Sequence, residues 1–124
     1  DGLPSVIAGV PPDELGPDGQ RWGNPLYRWD RMAAEDFAWW TARVKRVLAQ
    51  ADVVRIDHFR GFASYWEIPA TSPTAMVGRW LPGPGRALFE AEYDRDLEGS
   101  RLLTIYDEVI ETNRRGASQA GRTR

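Results

Sequence analysis

The order of elements in this sequence predicts an α/β fold built on a parallel sheet, and three observations carry that prediction. Between Arg31 and Ala49 the apolar residues Phe37, Trp40, Val44, Val47 and Leu48 recur at three- and four-residue spacing, which marks a helix with one buried stripe. Only Gln50-Ala51-Asp52 separates this helix from the β-branched run Val53-Val54-Arg55-Ile56, a connection short enough for an αβ unit. The run ends in Asp57-His58-Phe59-Arg60, with Gly61 just beyond. In parallel α/β folds the C-terminal ends of the strands are where the chemistry sits.

Taken in order, Val6-Ile7-Ala8-Gly9-Val10 reads as a strand stopped by Pro11-Pro12. From Pro11 to Pro25 the turn signals Pro11-Pro12-Asp13, Gly16-Pro17-Asp18-Gly19 and Gly23-Asn24-Pro25 predict a long loop. Because it carries Asp13, Trp22 and Asn24, it fits either a substrate lid or a structural surface loop. Asp30 is placed to cap the helix that follows, and Arg43, Lys45 and Arg46 fall mostly outside its apolar stripe. Strand periodicity then puts Val53, Arg55 and Asp57 on one face and Val54 and Ile56 on the other.

Beyond it, residues 58 to 62 read as loop, which Arg60 could hold through backbone carbonyls, a role the sequence does not decide. Tyr65-Trp66-Glu67-Ile68-Pro69 is an apolar segment of either type, and Ala70 to Gly85 is mostly irregular, presenting Trp80. A second helix is expected from about Pro84 to Leu97, with Phe89, Tyr93 and Leu97 at four-residue spacing. Leu102-Leu103-Thr104-Ile105-Tyr106 has strand composition and leads into Asp107-Glu108. The tail from Thr112 to Arg124, with four Arg, no acid and no large apolar residue, is expected to be disordered.

Composition narrows the chemistry. With no Cys, disulfides and thiolate metal sites are excluded, and a single histidine, His58, excludes a multi-His metal site within the chain. A net charge of −2 gives no bulk attraction to nucleic acid or anionic lipid, and four tail arginines without interleaved aromatics are a weak nucleic-acid signal. No stretch reads as membrane-spanning or as an export signal, so a cytoplasmic setting is expected; the first residue is Asp1, as in a chain cut from a longer one. Six Trp among 124 residues fit core packing or, alternatively, stacking on sugar rings. On residues alone, Arg55 and Asp57 are either an ion pair closing a strand end or a catalytic carboxylate with its orienting cation.

Four blocks in one order carry a family resemblance: Ile7-Ala8-Gly9-Val10-Pro11-Pro12-Asp13, Gly19-Gln20-Arg21-Trp22-Gly23-Asn24-Pro25-Leu26-Tyr27, Val54-Arg55-Ile56-Asp57-His58-Phe59-Arg60-Gly61-Phe62, and Gly78-Arg79-Trp80 with Gly83-Pro84-Gly85. From about residue 5 to about residue 90 the chain resembles an internal part of the 4-α-glucanotransferases, the amylomaltases or disproportionating enzymes. The resemblance implies a (β/α)₈ glycosidase barrel related to the α-amylases, incomplete here, with residues 1–111 as partial barrel and 112–124 as tail. It implies a cofactor-free, retaining transfer of α-1,4-glucan segments between maltooligosaccharides, with no nucleic-acid or membrane partner. By match of motif, Asp57 is the nucleophile and Arg55 its neighbouring arginine, while Asp13, Trp22, Asn24 and His58 contribute to substrate binding.

Two departures accompany the likeness. Glu14 and Leu15 stand where many members carry aromatic residues after the lid Asp. After residue 100 the family's Ala-Glu-Asp-Leu-Gly-like motif is replaced by Ile105-Tyr106-Asp107-Glu108-Val109-Ile110, which leaves Glu108 as a weak acid/base candidate and supplies no third carboxylate. The expectation from that departure is a fragment whose reading frame was lost near residue 100. The alternatives are an inactive remnant that binds glucan through Trp22 and Trp80, and a related α-amylase-type hydrolase.

Overall fold

Residues 2–14 and 16–93 are described by the structure, a computed structural model. Four strands among them, β1 (Val6–Val10), β2 (Gln20–Pro25), β3 (Ser64–Pro69) and β4 (Arg79–Pro82), form an antiparallel sheet in the order β2-β1-β3-β4. The predicted β1 is present and sits inside the sheet, where Ile7 pairs with Ile68 and Gly9 with Trp66 of β3. Gly9 is required by close approach: a Cβ there would stand 2.5 Å from Ile68 Cδ1 and nearer still to the Gln20 carbonyl oxygen. The β1–β2 register shifts between Ile7 and Gly9, at the same crowded point.

The loop expected from Pro11 to Pro25 holds only as far as Gly19, since Gln20–Pro25 is strand β2. All six of its residues are exposed on the sheet edge, so the sequence has no apolar alternation to reveal it, and Pro25 is tolerated at the end of an edge strand. Tyr65 to Pro69, left open by the sequence, lies in β3, and β4 emerges within the stretch expected to be irregular. Trp66 faces Trp80 across these strands with ring centres 5.5 Å apart, while Glu67 accepts from Arg79 at 2.7 Å.

The single helix expected over residues 31–49 is two, α1 (Trp29–Ala34) and α2 (Ala38–Leu48). Asp36 and Phe37 break it in the left-handed conformation, at φ 52° and 53°. The Phe37 N–H donates to the Met32 carbonyl at 2.7 Å and the Asp36 N–H to Ala33 at 3.1 Å, a Schellman pair that drops Phe37 into the core. Asp30 does not cap the helix; it lies in the first turn of α1 and binds Arg28 through both carboxylate oxygens, at 3.0 and 2.7 Å. That guanidinium holds the Asp30 carboxyl at about 2, well below the usual carboxylate range.

Two apolar clusters result. One gathers Phe37, Phe62, Leu88 and Phe89, with Trp29, Trp40 and Phe59 packed against them, and uses α3 (Arg86–Tyr93) as its lid. The other, Ile7, Ile68 and Ala75 with Trp66, lies on the sheet. Within the described residues α3 starts two positions after the predicted Pro84.

The predicted parallel αβ unit is not formed among the described residues. Val53 to Ile56 is irregular rather than a strand, Val53 is 85% exposed, and no described segment pairs with it. A strand exists only with a ladder partner for its N–H and C=O groups, and here every neighbour in the sheet comes from other segments. The remainder of the second predicted helix, the Leu102–Tyr106 strand, Glu108 and the 112–124 tail lie outside the described residues. No helix among the described residues is long and apolar enough to cross a membrane.

Candidate active site

The segment after α2 lines an open groove of about 610 Å³ together with residues of β1, β2, α2 and β3. Arg55, Asp57 and His58 reach it from this segment, and Trp22 and Asn24 from β2. The five residues are thus brought together from stretches more than thirty positions apart in sequence.

Arg55 Nη2 donates to Asp57 Oδ1 at 3.2 Å, although the strand that was to bring them together is not formed among the described residues. Both side chains are more than four-fifths exposed, so water screens the pair and its value lies in orientation rather than stability. Among the described residues that line the groove, Asp57 is the one carboxylate.

His58 takes the left-handed conformation at φ 49°, and its ring meets Trp22 edge-on with centres 4.8 Å apart. Partial burial, then the nearby Arg60 charge, push the imidazole below its usual range, and Asp57 offsets part of this. Trp22 Nε1 donates to Gln20 Oε1 at 3.2 Å, which leaves the ring faces for other contacts.

Asp13 is not in this groove. It lines a smaller adjoining depression with Trp22, His58, Arg60 and Trp80, and its Oδ1 accepts from the Gly16 N–H at 2.8 Å, closing its own turn. Trp22 and His58 form the wall between the two hollows.

Sequence reasoning missed Arg43. Assigned outside the stripe of α2, it lines the groove, donates to the Tyr27 hydroxyl and lies 5.2 Å from the Trp40 ring centre and 5.6 Å from that of Trp39. The signal available was the Trp39-Trp40 pair three positions before an Arg, which reads as packing as readily as a cation site. Arg60, for which backbone carbonyls were the expected partners, places its guanidinium carbon 4.4 Å from the centre of the Trp80 ring.

A family model described as 4-alpha-glucanotransferase matches residues 4–106. The chain belongs to the 4-alpha-glucanotransferase family. A 4-alpha-glucanotransferase of Thermus thermophilus is 57% identical over 90 residues, covering 73% of this chain and 18% of that protein. One from Streptococcus pneumoniae is 47% identical over 118 residues, covering 92% of this chain and 23% of the relative. The solved amylomaltase of Streptococcus agalactiae in complex with acarbose superposes with a TM-score of 0.74 at 40% identity, over 84% of this chain and 24% of that one. The chain therefore spans less than a quarter of the length of these family members. The family match also continues to residue 106, past the point near residue 100 where loss of the reading frame was expected.

Proposed function

We propose that this chain is the nucleophile-bearing segment of a 4-alpha-glucanotransferase that moves α-1,4-glucan segments between maltooligosaccharides by retaining transfer. The observation that carries this reading is the convergence of Arg55, Asp57, His58, Trp22 and Asn24 on one groove. Family membership and the names of the relatives support the reaction class. Asp57 attacks the anomeric carbon, the bond to the leaving glucan breaks, and the departing oxygen takes a proton from a second carboxylic acid. An acceptor hydroxyl then gives its proton back to that group as it displaces Asp57.

Retention requires the two carboxyl groups about 5–5.5 Å apart. Since Asp57 is the one described carboxylate on the groove, its partner lies elsewhere: Glu108 is outside the described residues, and relatives extend far beyond the length of this chain. Arg55 aims the attacking carboxylate through its hydrogen bond to Oδ1. The exposed Trp22 ring offers a face to a sugar, and Asn24 on the same groove supplies an amide for its hydroxyls.

For the complete protein the fold we assign is the (β/α)₈ barrel, in which Val53–Ile56 gains strand neighbours. The amylomaltase neighbour supports it. A cytoplasmic setting without cofactor or nucleic-acid partner belongs to the same reading.

In the full-length protein that carries this sequence, Asp57→Asn should lower glucan disproportionation on the order of 10³-fold or more. Acarbose, the ligand of the streptococcal amylomaltase, should still bind within a few-fold of wild type. Unchanged turnover in this variant would remove Asp57 from the nucleophile role. The exposure of Trp22 favours a second reading for the 124 residues alone, glucan binding without transfer, since a barrel takes about 250 residues. Maltoheptaose that changes Trp emission without being disproportionated would support it.

A further inference from the structure

Asp57 sits between a segment with no ladder partner and a turn that is firmly tied. Upstream, Val53 to Ile56 pairs with nothing described. Downstream, the 3₁₀ turn Phe59–Phe62 is fixed by backbone bonds from Gly85 to Phe62 at 2.8 Å and from Gly83 to Ala63 at 3.0 Å. The turn therefore offers a fixed reference for the carboxylate beside its hydrogen bond to Arg55, and Arg60, on the face of Trp80 in β4, joins turn to sheet by its side chain.

We propose that Arg60 is a positioning residue for Asp57: stacked on Trp80, it pins the Phe59–Phe62 turn to β4 and so holds the left-handed backbone at His58 that aims the adjacent carboxylate into the groove. A ring face and a planar guanidinium make a directional contact that neither a carbonyl nor a short cation reproduces fully. The Gly61 N–H, bonded to the His58 carbonyl at 2.8 Å, transmits the turn's position to His58. The charged groups around the His58 ring are Asp57 on its own segment, Arg60 on the turn and Asp13 across the depression; Trp22 and Gln20 face it from β2 without charge.

This inference rests on Asp57 being the nucleophile, and its test separates the two claims. In the full-length protein, Arg60→Met should lower kcat about 10- to 100-fold with KM within about threefold, because a misaimed nucleophile slows chemistry without removing sugar contacts. Arg60→Lys should recover part of the loss, Trp80→Leu should reproduce it, and Trp80→Phe, which keeps a ring face, should stay within about threefold of wild type. Independently of activity, the His58 imidazole, assigned in NMR by its loss in His58→Gln, should titrate at higher pH in Arg60→Met. Wild-type kcat in Arg60→Met and Trp80→Leu, alongside an inactive Asp57→Asn, overturns the positioning role and leaves the nucleophile in place. An active Asp57→Asn overturns the nucleophile instead, whatever the His58 titration reports.

Discussion

His58 shows how a single residue couples protonation to the shape of the site. Its imidazole is shifted downward first by burial and then by Arg60, so the unfolded chain binds the proton more tightly than the folded one. The stability that follows is fully present above the ordinary value of 6.5 and is lost as pH falls from there through the lower folded value. Denaturant midpoints should therefore drop between about pH 7.5 and pH 5 in the wild type and drop less in His58→Gln. Equal slopes in both would show that the ring is not the titrating group. The residues at this site were partly legible: Arg55, Asp57 and His58 are contiguous, and the block around Trp22 announced itself by its turn chemistry. What was not legible were the ring partners. Arg60 with Trp80 and Arg43 with Tyr27 are far apart in sequence and pair a cation with a neutral aromatic, so no charge pattern links them.

Among the elements, the helix pair α1 and α2 separates what periodicity reads well from what it does not. The three- and four-residue apolar spacing located the helical region correctly, because it reports which face meets the core. It missed the break, since Glu35-Asp36 contains neither Gly nor Pro and the left-handed turn is stabilised by Phe37 entering the cluster with Phe62, Leu88 and Phe89. Asp36 occupies the position where such motifs prefer glycine. Asp36→Gly should then raise stability by about 0.5–1 kcal/mol, read as a shift in urea midpoint at constant m-value. A loss of stability would mean that the Asp36 side chain contributes more at the break than its backbone strain takes away. The strands divide in the same way: β1 has a β-branched apolar pattern and was found, whereas β2, all exposed, has none.

At the level of the whole molecule, the sequence is patterned for more burial than the described residues provide. Val47 and Leu48 belong to the helical stripe, and Val53, Val54 and Ile56 to the β-branched run, yet all five are exposed, together with Trp39 at 53%. These were the residues on which the parallel α/β expectation rested, and their openness is the same fact as the missing ladder beside residues 53–56. The pattern records neighbours that a segment under a quarter of its relatives' length does not include among its described residues. An apolar face of this kind, next to backbone groups without ladder partners, favours association between copies of the isolated chain. The 124-residue chain should accordingly show a weight-average mass that rises with concentration in sedimentation equilibrium. Placing one charge on the face, Ile56→Lys, should move that rise to about tenfold higher concentration, because a lysine there must stay hydrated and cannot enter an apolar contact. If the wild type stays monomeric throughout, the face is covered from within the chain, and the expected strand at Val53–Ile56 regains a partner from its own sequence.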